Sequence, residues 1–106
     1  MSTTLFVAEL VRAANEADRL SPWEAARLLE RAIATVRELR EAVGIPKDGT
    51  ELDELIRLRA AAREAREGRK SSDLSSALLS AADMIRTLHI IVDSHTEIEI
   101  TSFNSA

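Results

Sequence analysis

Six basic residues crowd one stretch of the chain: Arg57, Arg59, Arg63, Arg66, Arg69 and Lys70, against only Glu64 and Glu67. That segment sums to +4 in a chain whose formal net charge is −4, so everything outside it carries −8. Arg59, Arg63, Arg66 and Lys70 are spaced 4, 3 and 4 apart, which places them on one face of a helix. Intrahelical pairing hardly neutralises them, because Arg59 and Arg66 have no acid three or four residues away and Arg63 has only Glu67. Like charges at such spacing cost an isolated helix about 0.2–0.5 kcal/mol per pair. The face therefore calls for acid opposite it. Arginine forks match phosphate and carboxylate oxygens bidentately, so an anionic ligand or an acidic protein surface would serve. Acids of the first helix (Glu9, Glu16, Asp18) or of another subunit would serve equally. The predicted binding set is Arg59, Arg63, Arg66, Arg69 and Lys70.

A second constellation is His89, Asp93 and His95. His89 and Asp93 share a helical face at a spacing of four, where one orients the other or both ligate a metal. A firm third ligand is missing, so a solvated helix end is the better account. The pairs Asp53-Glu54 and Glu38-Glu41 likewise read as solvated faces. The chain has no Gly-rich phosphate loop, nucleophile elbow or paired metal motif. The expectation is accordingly no enzyme, no metal and no cofactor.

Nucleic acid is disfavoured as a partner by a pI near 5.2 and by only three aromatic residues. The short Ser21-Pro22 turn invites comparison with a helix-turn-helix. The helix that follows, however, mixes Arg27, Arg31, Arg37 and Arg40 with Glu30, Glu38 and Glu41, which repel phosphate as much as attract it. Trp23 sits in that helix's first turn, beside the apolar seam, and is expected to anchor the core at the corner of helices one and two, the alternative being an exposed binding anchor.

Four helices must position these residues. Phe6, Leu10, Ala13, Ala17 and Leu20 form a seam in a first helix over about 4–20, which Val7, Val11 and Ala14 widen. Ser21-Pro22-Trp23-Glu24 opens the second. Ser21 is the N-cap, Pro22 the first helical residue, and Glu24 reaches back to the Ser21 amide. Ala26, Leu29, Ile33, Val36 and Val43 make its seam, and Gly44 followed by Pro46 stops it. The turn between helices one and two is short, so they should be antiparallel or steeply angled neighbours. Lys47-Asp48-Gly49 is turn chemistry, and Thr50 is expected to cap a third helix over about 51–67, with Gly68 as its stop. That helix is apolar at Leu52, Leu55 and Leu58 but only alanine-lined beyond, so its second half is expected at the periphery.

Ser72 or Asp73 caps the fourth helix, over about 73–93. Its seam of Leu74, Leu78, Ala81, Ile85, Leu88 and Val92 has the best periodicity in the chain. The tail, 96–106, alternates in Glu97-Ile98-Glu99-Ile100-Thr101 as a half-buried strand does. Residues 90–101 thus read as helix or, alternatively, as a hairpin around Asp93-Ser94-His95-Thr96. Leu10, Ala13, Ala14, Glu16 and Ala17 reappear 48 positions on as Leu58, Ala61, Ala62, Glu64 and Ala65. Chance among alanine-rich helices explains that repeat as well as duplication does.

Composition bounds the rest. Of 106 residues, 17 are alanine, 26 are Leu, Ile or Val, 3 are Gly, 2 are Pro and none is Cys. Such a chain builds few long helices with close backbones, and it has no disulfide framework. Folding should take its surface from roughly 17,000 to roughly 5,900 Å², the burial of one domain. No run approaches the ~18 apolar residues of a membrane span, and Met1-Ser2-Thr3-Thr4 lacks the features of a secretory signal. The expected location is cytoplasmic, without membrane contact.

The expected fold is all-α, an antiparallel four-helix bundle over residues 1–106 with a short C-terminal tail. The expected function is non-enzymatic protein binding, as an inhibitor or adaptor of phage or bacterial type. The alternative is sequestration of an anionic small molecule or nucleotide by the arginine face. The fourth helix's full-length seam, with Ile98 and Ile100, exceeds what one small bundle covers. A homodimer is therefore expected.

Overall fold

Backbone in the computed structural model is described for residues 3–44, 49–70 and 72–105, and side chains for 3–44, 53–70 and 72–94. The chain forms α1 (Thr3–Asn15), a short 3-10 turn (Ala17–Arg19), α2 (Pro22–Val43), α3 (Gly49–Arg66) and α4 (Leu74–Ser105). The described residues include no strand, so the fold is an all-α bundle, as the sequence implies.

Several helix ends follow from local chemistry. The Glu24 amide donates to Ser21 Oγ at 3.1 Å, with Ser21 extended and Pro22 at the first helical position. The Glu24 carboxylate takes the Ser21 hydroxyl at 3.0 Å rather than the Ser21 amide, a variation on the expected cap. Gly44 closes α2 at φ 74°, its amide donating to the Arg40 carbonyl. Gly68 at φ 85° closes α3, with Gly68 N–H on Ala65 and Arg69 N–H on Glu64. That pair of bonds is the Schellman pattern, and it favours glycine at the left-handed position. The Asp73 carbonyl accepts the first intrahelical bond of α4, from Ala77.

Other ends depart from expectation. α1 stops at Asn15, where the Glu16 amide is shared between the Arg12 and Ala13 carbonyls and the backbone tightens into the 3-10 turn. α3 begins at Gly49 and so takes in Thr50 rather than starting after it. The Thr50 and Leu52 side chains, and Lys47-Asp48, lie outside the described residues. The tail is neither strand nor hairpin, because α4 continues to Ser105. A lone hairpin is marginal in water, whereas helix satisfies the tail's backbone internally.

The core is aliphatic and alanine-rich. Leu10, Leu29, Leu58, Leu78, Ile85 and Val36 are its largest fully buried side chains. α4 packs against α1 and α2, α2 packs against α3, and α3 meets α4 more lightly. The short connection at Ser21 does not make α1 and α2 a tight pair. α1 lies chiefly on α4, and Arg31 reaches from α2 to α1. The second half of α3 is not peripheral either, since Ala61, Ala62 and Ala65 are all buried. Their small side chains let the α3 backbone approach its neighbour closely, which a periodicity of large residues does not reveal.

The molecule is elongated, 56 × 27 × 17 Å with a radius of gyration of 15.5 Å. A compact chain of this length would have about 13 Å. Its 6942 Å² of surface likewise exceeds the roughly 5,900 Å² expected of a compact chain of this mass. The 32 residues of α4, about 48 Å of helix, account for the length. Within α4, Leu74–Ser94 has a mean hydropathy of 1.2 and, among the described residues, is the stretch long and apolar enough to cross a bilayer. Its apolar seam (Leu74, Leu78, Ile85, Leu88) is spent on the core of the bundle, and Asp83 and Arg86 pair on its outer side.

Candidate binding groove

α2 and α3 lie side by side with residue numbers rising along one as they fall along the other. Ser21–Ala26 stand beside Ala65 and Gly68, and Glu30 and Ile33 stand beside Arg59 to Arg66. Two hollows follow the seam. One, of about 540 Å³, is lined by Glu30, Ile33, Arg59, Ala62, Arg63, Arg66 and Glu67. The other, of about 330 Å³, is lined by Pro22, Trp23, Ala26, Arg27, Ala65 and Arg66. Arg66 belongs to both, so they form one open groove with a floor of Ile33, Ala26, Ala62 and Ala65.

The charges along it are unevenly met. Arg66 offers Nε and Nη2 to the two carboxylate oxygens of Glu30, a bidentate fork. Those hydrogen bonds, aided by the guanidinium charge, hold the Glu30 carboxyl below its ordinary value despite some desolvation. The same contact raises Arg66. Arg59 and Arg63 are exposed and form no ion pair among the described residues. The groove is therefore positive on its α3 rim.

The predicted set thus divides. Arg59, Arg63 and Arg66 come together on the groove. Arg69 turns to Glu67, two residues back. Lys70 Nζ donates to the carbonyls of Ala17 and Asp18 at 3.1 and 3.0 Å, closing the end of the 3-10 turn. Arg57 faces α4, with Nη2 on Ser76 Oγ at 2.6 Å and Nη1 3.6 Å from Glu54. The acid opposite the arginine face comes from α2 rather than α1, because α3 packs against α2 whereas α1 lies chiefly on α4, and its Glu9 meets Arg31 at 3.5 Å.

Trp23 overturns its expected core role. It is 64% exposed, with Arg27 stacked over its ring at 4.9 Å from the centroid. Ala25, Ala26 and Leu29 take the inward positions of that turn, which leaves Trp23 on the flank facing α3. Sequence reasoning missed Trp23 and Arg27 as groove residues. Their i, i+4 spacing, continued by Glu30 on the same side of the helix, was the available signal.

Of the histidine constellation, the described residues bring together His89 and Asp93. His89 Nε2 lies 3.7 Å from Asp93 Oδ2 along α4, and the His95 side chain is outside the described residues. Among the described residues no three His, Cys, Asp or Glu side chains are grouped so as to hold a metal. Glu38 and Glu41 are exposed on α2, and Glu54 pairs within its own helix.

Comparison with known protein families, curated proteins and solved structures finds no match to this chain.

Proposed function

We propose that the protein is a non-enzymatic helical interaction module whose α2–α3 groove takes an acidic segment of a partner protein. One observation carries this reading. Arg59 and Arg63 form no ion pair among the described residues, and they flank an apolar floor that ends at an exposed Trp23. Tryptophan and arginine over a small apolar patch are the side chains that dominate binding energy at protein interfaces. An acidic helix would set apolar residues on the floor and carboxylates against the guanidinium forks.

A second reading draws on the same residues. A nucleotide-like anion would stack on Trp23 and place phosphate between Arg59 and Arg63. The two readings part in one experiment. Protein carrying R59E/R63E, or Trp23→Ala, is compared with the unaltered chain for capture of partner from its source, and each is melted with and without nucleotides. Loss of capture in both variants with no nucleotide-dependent stabilisation supports the protein partner. Nucleotide stabilisation abolished by R59E/R63E supports sequestration. Unchanged capture and no stabilisation would remove this groove as the site.

A further inference from the structure

We infer that the groove of one molecule receives the acidic distal end of α4 from a second copy of this chain. The inference rests on the reading of the α2–α3 groove as a dock for an acidic segment, and it names an occupant. Three observations carry it.

The first is length. Leu88 is the last buried residue of α4 among those described, yet the helix runs on to Ser105, about 25 Å farther. Ile90 and Ile91 are exposed at the start of this stretch.

The second is charge. Residues 93–105 contain Asp93, Glu97 and Glu99 and no lysine or arginine, a net of −3 with His95 neutral. The groove presents Arg27, Arg59, Arg63 and Arg66 against Glu30 and Glu67, a net of +2.

The third is connectivity, which removes the molecule's own tail as the occupant. The arginine-bearing end of α3 joins the start of α4 through residues 67–73. From Leu74 the chain continues as unbroken helix, so Glu97 stands about 35 Å along the axis from the end of α4 nearest the arginines. A continuous helix cannot bend back to its own groove. Positive groove and negative end are thus held apart in one molecule and are complementary between two. Each copy then supplies one end and one groove, which closes as a two-fold dimer.

The test uses sedimentation velocity of the full chain from low to high micromolar concentration. The expected result is a dimer that weakens with added salt, because exposed complementary charges are screened. R59E/R63E and E97R/E99R should each weaken association at least about tenfold, while circular dichroism shows the helices kept. An equimolar mixture of the two variants should recover the dimer, since each groove then meets an opposite end. A chain that stays monomeric throughout, or a mixture that stays monomeric while the unaltered chain dimerises, overturns the inference. If R59E/R63E abolishes association and E97R/E99R leaves it intact, the groove stands as a protein dock and the α4 assignment falls. If neither variant matters, the dimer forms through another surface and the α4 assignment falls, while the groove reading stands or falls on the capture experiment.

Discussion

α2 serves two faces of the molecule, and they treat arginine in opposite ways. Toward α1, Arg31 lies over the buried ring of Phe6 at 4.2 Å and reaches Glu9 at 3.5 Å. Its aromatic partner belongs to the core. Toward α3, the aromatic residue is Trp23, which belongs to the surface, and the cations outnumber the acids. One guanidinium there is matched by Glu30, while Arg59 and Arg63 are not. On the first face the arginine completes the fold. On the second, the fold leaves charge available. A charged residue's part in a fold is therefore read from what stands opposite it, not from its own type.

The largest effect that separates the faces should come from their apolar foundations. Phe6→Ala removes both a buried core ring and the seat of Arg31, and should cost about 3–5 kcal/mol in urea unfolding. Trp23→Ala, at an exposed site, should cost less than about 1 kcal/mol in the same measurement. A comparable loss for Trp23 would mean that its ring supports the fold as Phe6 does.

Next in size is the corner that turns the chain from one face to the other. Ser21→Ala deletes the acceptor for the Glu24 amide and should lower stability by about 1 kcal/mol. Retaining Ser21 and changing Glu24→Ala should cost less, because the Glu24 carboxylate bonds the Ser21 hydroxyl and leaves the cap itself intact.

That corner also shows where sequence sufficed and where it did not. Ser21-Pro22, Gly44 and Gly68 were legible because their conformations are dictated within a few residues, by a hydroxyl acceptor or a positive φ. The seams of α1, α2 and α4 were legible because large aliphatic side chains mark their inward faces. The alanine half of α3 was not, since Ala61 and Ala65 give no periodic contrast and are buried only by the close approach of neighbouring helices. The tail was open to two readings, helix and hairpin, for a related reason. Glu97-Ile98-Glu99-Ile100 alternates, but alternation favours a strand only where another strand offers pairing. At the groove, the α3 arginines were found from their spacing. Trp23 was misplaced because its fate depended on which flank α3 would occupy; its spacing with Arg27 and Glu30 marks a shared side of α2 but not the helix that lies beside it.

The pH response sharpens the comparison through the one matched pair on the groove. Hydrogen bonds from Arg66 hold the Glu30 carboxyl below its ordinary value of 4.5, so the folded chain binds that proton less tightly than the unfolded chain. The pair's contribution is complete above that ordinary value and disappears as pH falls through the lower folded one. Arg66→Gln should therefore flatten part of the decline in melting temperature below about pH 5. An unchanged decline would mean that the fork is broken in solution.

The smallest effect has the sharpest sign. Arg63→Gln removes a cation flanked along α3 by Arg59 and Arg66, with no ion pair of its own among the described residues. Relief of like-charge repulsion should raise stability by a few tenths of a kcal/mol. Arg31→Gln removes a stacked and paired cation on the other face and should lower stability by about 0.5–1 kcal/mol. The same chemical change on two faces of one helix pair is thus expected to have opposite signs. Added salt should shrink the Arg63→Gln gain, which comes from exposed charges, more than the Arg31→Gln loss, part of which is ring contact. If both substitutions destabilise, α3 has found acid for Arg63 and the groove is no longer a surplus of charge. If both are neutral, the Arg31 contacts contribute nothing in water, and only Phe6 and Trp23 still distinguish the two faces.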